Sequence, residues 1–417
     1  MLTSQSARQA AERIQAAITV GPPLRVPLGT ALGSVLAEPI SSPIDLPFWT
    51  NSAMDGYAVR GDDVRGASAA TPKRLTVTEQ IPAGAFPTRT IGAGQSARIF
   101  TGAPLPEGAD SVIRQEDTDL GTEIVAIVRD RDCGVNVRRA GEDLKAGARV
   151  FEAGTALGPA HLGLLASLAV AHPVVYRRPR VAILGSGDEI VDVDQPDLIL
   201  AGTKIASSNS HTLAALVRQA GGEPVDLGIA VDTAESVRRH LESALDCDLI
   251  ITTAGISVGD HDHLRGVLQS MGARIDFWKL RIRPGAPVGF GMVGSVPWIG
   301  LPGNPVSAMV TFELFARPAI RRMMGQPLPF RRAVPVLTAE AIRLGPTLQH
   351  FLRVVVTGDG REATAALTGP QGSGILTSMV TANALLIVPE GLHDVAAGTR
   401  LVAIRLDDPV HLASPPF

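Results

Sequence analysis

Val181-Ala-Ile-Leu-Gly-Ser-Gly-Asp-Glu189 decides the fold: four apolar residues in a row, then a turn of small and acidic ones. A run this short and this apolar, closed by glycines, reads as a strand buried on both faces. Outward from it the texture repeats. Helix Ser210–Ala220 leads to strand Pro224–Ile229, and helix Thr233–Leu245 to strand Asp248–Thr252. Helix Asp262–Met271, strands Arg274–Ile282 and Trp298–Leu301, and helix Pro305–Met324 follow. Strands alternating with helices of this length predict βαβ units, a mostly parallel sheet and right-handed crossovers. Residues 179–327 are therefore expected to form a three-layer α/β domain.

Such sheets bind ligands at the carboxyl ends of their strands. Five loops in this stretch carry residues suited to phosphate, metal or acid: Gly185–Glu189, Val231–Thr233, Ala254–Asp262, Arg283–Pro287 and Gly300–Pro305. In the last, Asn304 suits an N-cap and Pro305 the first helical position, while Gly303 lets a ligand approach the backbone. A well-capped βα turn and an anion site fit it equally. Ser186 and Gly187 offer a phosphate cradle, with Asp188 or Glu189 for a metal or hydroxyl; as a lone polar turn, the loop would be unremarkable. Asp260 and Asp262, with no cysteine near, favour Mg²⁺ over Zn²⁺ unless they only cap the next helix. Lys279, Arg281 and Arg283 alternate, so on one strand they would share a face and meet an oxyanion or solvent.

Before this domain the pattern differs. Ser4–Ile18 has helical spacing of apolar residues, and helical character returns over Phe151–Ala171. Between them lie short apolar runs, Leu75–Thr78, Ala97–Phe100, Ser111–Ile113 and Glu123–Val128, amid Gly, Pro and Thr. A mainly helical N-terminal unit, 1–50 and 142–178, with an inserted β domain, 51–141, is expected. After a Pro-rich linker, short strands with Gly turns predict a small C-terminal β domain over 328–417. Asp55-Gly56 between apolar residues reads by itself as a tight hairpin turn.

Composition narrows the function. A chain of 417 residues with formal net charge −3 and 4% aromatics lacks the basic excess and stacking platforms of a nucleic-acid binder. Two separated cysteines exclude a thiolate metal site and fit a reducing compartment. The start shows no signal pattern, and the most apolar run, Leu162–Val175, is too short and too interrupted to span a bilayer. A cytoplasmic protein that neither enters membranes nor binds nucleic acid is expected.

Several strings together resemble the molybdopterin molybdenumtransferase family, bacterial MoeA and the E domain of gephyrin. They are Ser52-Ala-Met-Asp-Gly-Tyr-Ala58, Thr101-Gly-Ala-Pro104, Arg139-Ala-Gly-Glu-Asp143, Ser186-Gly-Asp-Glu189, Ser257-Val-Gly259, Trp278-Lys279, Pro284-Gly285, Gly300-Leu-Pro-Gly-Asn-Pro-Val-Ser307 and Gly372-Ser373. The first and the Gly300 string are highly specific. The resemblance implies a homodimer whose α/β domain binds molybdopterin and whose C-terminal domain is a small β-barrel. It implies molybdate insertion into adenylylated molybdopterin, with Mg²⁺ present and AMP released. Carried over, Asp55, Asp143, Glu189, Asp232, Asp262, Lys279 and Arg283 would serve catalysis, with Glu189, Asp232 and Asp262 on the metal. Thr101, Ser186, Gly187, Ser257, Gly259, Pro302, Gly303, Asn304 and Ser373 would bind substrate. The Asp55 region of one subunit would face the α/β cleft of the other. A molybdopterin adenylyltransferase and acceptor molybdoenzymes are the further partners implied.

Two departures from the family pattern stand out. Arg283-Pro-Gly-Ala286-Pro287 replaces Lys-Pro-Gly-Lys-Pro, losing one cation, and Ala254 replaces a glycine whose left-handed backbone would strain it. They keep a non-catalytic molybdopterin-binding paralogue in view as a rival, and the shared α/β fold implied by the resemblance keeps the adenylyltransferase itself.

Overall fold

The computed structural model describes residues 5–254, 263–345, 348–358 and 360–406. The chain forms two compact units, Met1–Ala37 with Gly154–Leu162 and Ala171–Phe417, and Glu38–Ala153 with Gly163–Val170.

The first unit opens with α1 (Ala7–Ala17), started by a reciprocal capping box. The Gln9 amide N–H donates to Ser6 Oγ at 3.3 Å, and the Ser6 N–H donates to Gln9 Oε1 at 3.1 Å. Its Ala10 and Ile14 are fully buried against Phe312, Phe315 and Ile320. Burying an isoleucine this way contributes about 1.5–3 kcal/mol, so α1 is held by the α/β core.

The second unit is built on β1 (Gly56–Val59), β2 (Lys73–Ile81), β3 (Gln95–Ile99), β4 (Ser111–Arg114) and β5 (Ile124–Ile127). They lie in the order β4-β1-β3-β2-β5, with β2 and β3 parallel and the other pairs antiparallel. Strand β1 corrects the hairpin reading of Asp55-Gly56. Gly56 starts a central strand, and a Cβ there would stand 2.0 Å from the Ile113 carbonyl oxygen. Close backbone approach, rather than a turn, demands the glycine.

The α/β part of the first unit comprises β6 (Arg180–Ser186), α2 (Ser208–Ala220), β7 (Glu223–Ala230), α3 (Ala234–Ser243), β8 (Leu249–Thr253), α4 (His263–Ser270), β9 (Arg274–Phe277), β10 (Gly289–Val293), β11 (Val296–Leu301) and α5 (Pro305–Thr311). The sheet order is β7-β6-β8-β11-β10-β9. The first four strands are parallel, and β10 and β9 then add antiparallel at one edge. Along β6, Val181 and Ile183 face one core with Leu213, Val217 and Phe315, while Ala182 and Leu184 face another with Val237, Leu241 and Leu264. Both faces are covered, which makes three layers.

Two expectations change here. The strand read as Arg274–Ile282 stops at Phe277, and a two-residue strand, Ile282–Arg283, pairs instead with the C-terminal barrel. Lys279, Arg281 and Arg283 therefore do not share one strand face. The Arg283–Pro287 segment joins Ile282–Arg283 to β10, so it is not a strand-to-helix turn.

The barrel consists of β12 (Ala333–Thr338), β13 (Gln349–Thr357), β14 (Thr364–Leu367), β15 (Ala384–Val388) and β16 (Arg400–Arg405). The order β13-β14-β12-β16-β15 closes through a β15–β13 pairing, with Val354, Leu386, Val388 and Ala403 fully buried inside. Among the described residues no helix is long and apolar enough to cross a membrane.

Candidate active-site cleft

The parallel register brings strand ends level: Gly185 pairs with Thr253, Thr253 with Leu301, and Ser186 with Ala230. The loops that leave β6, β8 and β11 then enclose a cleft of ≈ 440 Å³. Gly185, Glu189, Thr253, Ala254, Pro287 and Pro302–Pro305 line it. So do Ser207, Ser208 and Asn209 at the start of α2, which the sequence reading passed over. Their signal was a Ser-Ser-Asn triplet opening an amphipathic helix, although no loop motif marked it. The Asn209 amide donates to the Gly303 carbonyl at 2.8 Å, tying that helix to the Gly300–Pro305 loop.

Asn304 sits at the N-cap by its backbone, and Pro305 follows in the first turn as expected, but the side chain makes no capping bond. The amide donates instead to Ser373 Oγ at 2.9 Å, and the Val306 N–H donates to the Ser373 carbonyl at 3.2 Å. The barrel loop at Gly372-Ser373 thus closes this helix end and occupies one of its unpaired donors.

Gly187 has φ +136, and a Cβ on it would lie 2.7 Å from Glu189 Oε2, so the glycine makes room for the carboxylate. Glu189 is exposed and lines the cleft, and although its backbone carbonyl accepts from the Ile205 N–H at 2.8 Å, its carboxylate has no hydrogen-bond partner among the described residues. Asp232 stands apart from that lining. Its N–H donates to Asp188 Oδ1 at 3.0 Å, beside a neighbouring depression lined by Gly187, Asp188 and Val231. Ser257, Gly259 and Asp262 lie outside the described residues. Ala254, just before them, does adopt the left-handed backbone at φ 67.

The described carboxylates are hard oxygen donors of the kind Mg²⁺ takes. Among the described residues, however, no three acidic, His or Cys side chains gather as a metal site. Glu189 and Asp232 do not make one by themselves.

Lys279 and Arg283 are exposed, whereas Arg281 is held by Glu390 at 2.7 Å. The turn after Arg283 is seated by Gly285, at φ +91, where a Cβ would meet Thr311 Cγ2 at 2.4 Å and Pro302 at 3.7 Å. The Arg283–Pro287 loop therefore packs against the Gly300–Pro305 loop despite not preceding a helix. A further cation was missed. Arg353 is 0% exposed, donates from Nε to Ser378 Oγ at 3.0 Å and from Nη2 to the Gly372 carbonyl at 2.9 Å, and its buried Nη1 has no partner among the described residues. Burial pushes its guanidinium pKa down. Its only signal in sequence is a lone arginine inside the apolar run Phe351–Val356.

The other expected residues lie in the second unit. Asp55 Oδ1 accepts from the Thr101 N–H and hydroxyl, both at 2.8 Å. Those two bonds, and then the field of Arg98, hold the carboxyl below its usual range. Asp143 is exposed, its N–H donating to the Leu46 carbonyl at 3.0 Å. The three loops are laced together. The Ala53 N–H donates to the Asn136 carbonyl at 2.9 Å, the Leu105 N–H to the Thr50 carbonyl at 2.9 Å, and the Ala140 N–H to Thr50 Oγ1 at 3.2 Å.

Three family descriptions cover most of the chain. Residues 5–169 match "MoeA N-terminal region (domain I and II)", residues 182–322 "Probable molybdopterin binding domain", and residues 335–406 "MoeA C-terminal region (domain IV)". A Mycobacterium tuberculosis protein named molybdopterin molybdenumtransferase 2 is 39% identical over 362 residues, 85% of this chain and 88% of that protein. The chain belongs to the MoeA family. A molybdopterin molybdenumtransferase from Nostoc is 37% identical over 368 residues, 87% of this chain and 84% of that one. The fold agrees: a MoeA protein from Pyrococcus horikoshii superposes with a TM-score of 0.80 at 29% identity, covering 97% of this chain and all of its own.

Proposed function

We propose that this MoeA-family chain is a molybdenumtransferase of molybdenum cofactor biosynthesis, inserting molybdate into adenylylated molybdopterin and releasing AMP. One observation carries the reading: three loops at the carboxyl edge of the parallel sheet, with the first turn of α2, enclose a single cleft that a carboxylate enters without a partner. Water attacks the adenylyl phosphorus, a P–O bond of the phosphoanhydride breaks, and AMP leaves. The dithiolene thiols form Mo–S bonds to molybdenum, which is substrate, and the oxygens they displace leave as water with the thiol protons. Glu189 accepts a proton from the attacking water, a role open to a carboxylate at hydrogen-bond reach. Lys279 and Arg283, both exposed, offer positive charge to the phosphoryl and molybdate oxygens. Asn304, Ser373 and the Ser207–Asn209 turn orient the bound groups.

The reading includes Mg²⁺ with Glu189, Asp232 and Asp262, and a homodimer in which the Asp55 loops of one subunit serve the cleft of the other. An adenylyltransferase delivering substrate and molybdoenzymes accepting product are its further partners. Glu189→Gln tests the site. It should abolish molybdate-dependent AMP release while leaving the unfolding midpoint in place; full activity would remove Glu189 from the chemistry. The strained Ala254 and the missing cation at Ala286 favour the paralogue as second reading. Tight molybdopterin binding by wild type without turnover would support it.

A further inference from the structure

Strand β3 ends three residues before Gly102, and it grips the Asp55 loop twice. Thr101, just past its end, takes Asp55 Oδ1 through both its N–H and its hydroxyl. Arg98, within the strand and paired with Tyr57, donates from Nη1 to the Gly56 carbonyl at 3.0 Å and from Nη2 to Gln115 Oε1 at 2.6 Å. Gln115 in turn donates its N–H to the Asp55 carbonyl at 3.0 Å. The carbonyls of Asp55 and Gly56 are thus both fixed, one directly by Arg98 and one through the residue Arg98 holds. The guanidinium carbon lies 5.0 Å from the Tyr57 ring centroid and 4.8 Å from that of Phe100, so the fork has little freedom to turn. Among the described residues no carboxylate forms an ion pair with Arg98.

We propose that Arg98 is a positioning residue for Asp55, aiming the carboxylate by clamping the backbone at Gly56 and the Gln115 side chain. This rests on the reading of Asp55 as part of the reaction site. A planar fork is required because two acceptors on different elements are bridged at once. An ammonium reaches only one of them. Oδ2 of Asp55, the oxygen without a partner among the described residues, is the atom that this clamp directs.

A double-mutant cycle on molybdate-dependent AMP release tests the proposal. Arg98→Met should lower kcat by about tenfold or more with little change in KM for molybdate, the signature of a lost transition-state contribution. In an Asp55→Asn background the same change should alter kcat by no more than about twofold, because the two residues act as one unit. Arg98→Lys should fall with Arg98→Met. Equal fractional losses in both backgrounds, or wild-type kcat in Arg98→Lys, would overturn the proposal. Amide hydrogen exchange at Thr101 and Gln115 supplies a readout without turnover, with Arg98→Gln run beside Arg98→Met in case the latter folds poorly. Faster exchange at both amides at an unchanged unfolding midpoint is expected, and wild-type exchange rates would overturn it. A wild type that exchanges as expected yet releases no AMP counts against the reaction reading alone.

Discussion

Asp55 carries a definite chemical signature, a carboxylate whose two strongest contacts both come from Thr101. Its pKa lies below the ordinary value in the folded chain. The stabilisation it contributes is therefore present above the unfolded pKa and is lost as pH falls through the folded one. Thr101→Val removes the hydroxyl bond and keeps the N–H bond, so the carboxyl should move up towards its ordinary range. The acid limb of the kcat profile should shift to higher pH, measured by AMP release from pH 4 upward as a rough starting point. An unmoved limb would separate Asp55 from the titration. Local pattern by itself hides this residue, since its loop reads as a hairpin, and only the Ser52–Ala58 string marks it. The contact that makes Gly56 a strand residue comes from Ile113, far along the chain, and only the pairing of β1 with β4 reveals it. Ala254 was the opposite case: its left-handed backbone followed from the glycine it replaces, and φ 67 agrees.

The βαβ elements were legible because buried parallel strands are continuous apolar runs, as in β6, β8 and β11, while edge strand β7 is interrupted by Asp226 and Gly228. Strand β9 misled, because alternation of Lys279, Arg281 and Arg283 mimics a strand face after the strand has ended. What ends it is pairing of Ile282–Arg283 with β13, a partner more than sixty residues away that no local pattern announces. The same barrel strand hides Arg353. A buried guanidinium with only neutral acceptors is costly, and replacing such a charge by an apolar side chain is often neutral or stabilising. In Arg353→Met that relief is offset by an unpaired Gly372 carbonyl, worth about 1–3 kcal/mol. Stability should therefore change by only about 1 kcal/mol in either direction. Because Nη1 is buried with the rest of the side chain, the molybdate concentration for half-maximal rate should stay unchanged. A chemical-unfolding loss well beyond about 3 kcal/mol would contradict this balance.

At the scale of the whole molecule, the expected residues divide between the two compact units. Asp55, Thr101 and Asp143 belong to one, and Glu189, Asp232, Lys279, Arg283, Asn304 and Ser373 to the other. Motif strings exposed both sets, but spacing along the chain could not say that they serve one reaction. The proposed homodimer makes that claim testable. Asp55→Asn and Glu189→Gln homodimers should each be inactive, whereas mixed dimers assembled from both should recover activity through one intact composite site. No recovery in verified mixed dimers would refute the shared arrangement.

The most direct measurement of the central claim is AMP release by the wild-type protein given adenylylated molybdopterin and Mg²⁺, with and without molybdate. The account predicts release that rises with molybdate and saturates, accompanied by formation of the molybdenum-loaded cofactor. Release indifferent to molybdate, or bound substrate that is never turned over, would contradict it.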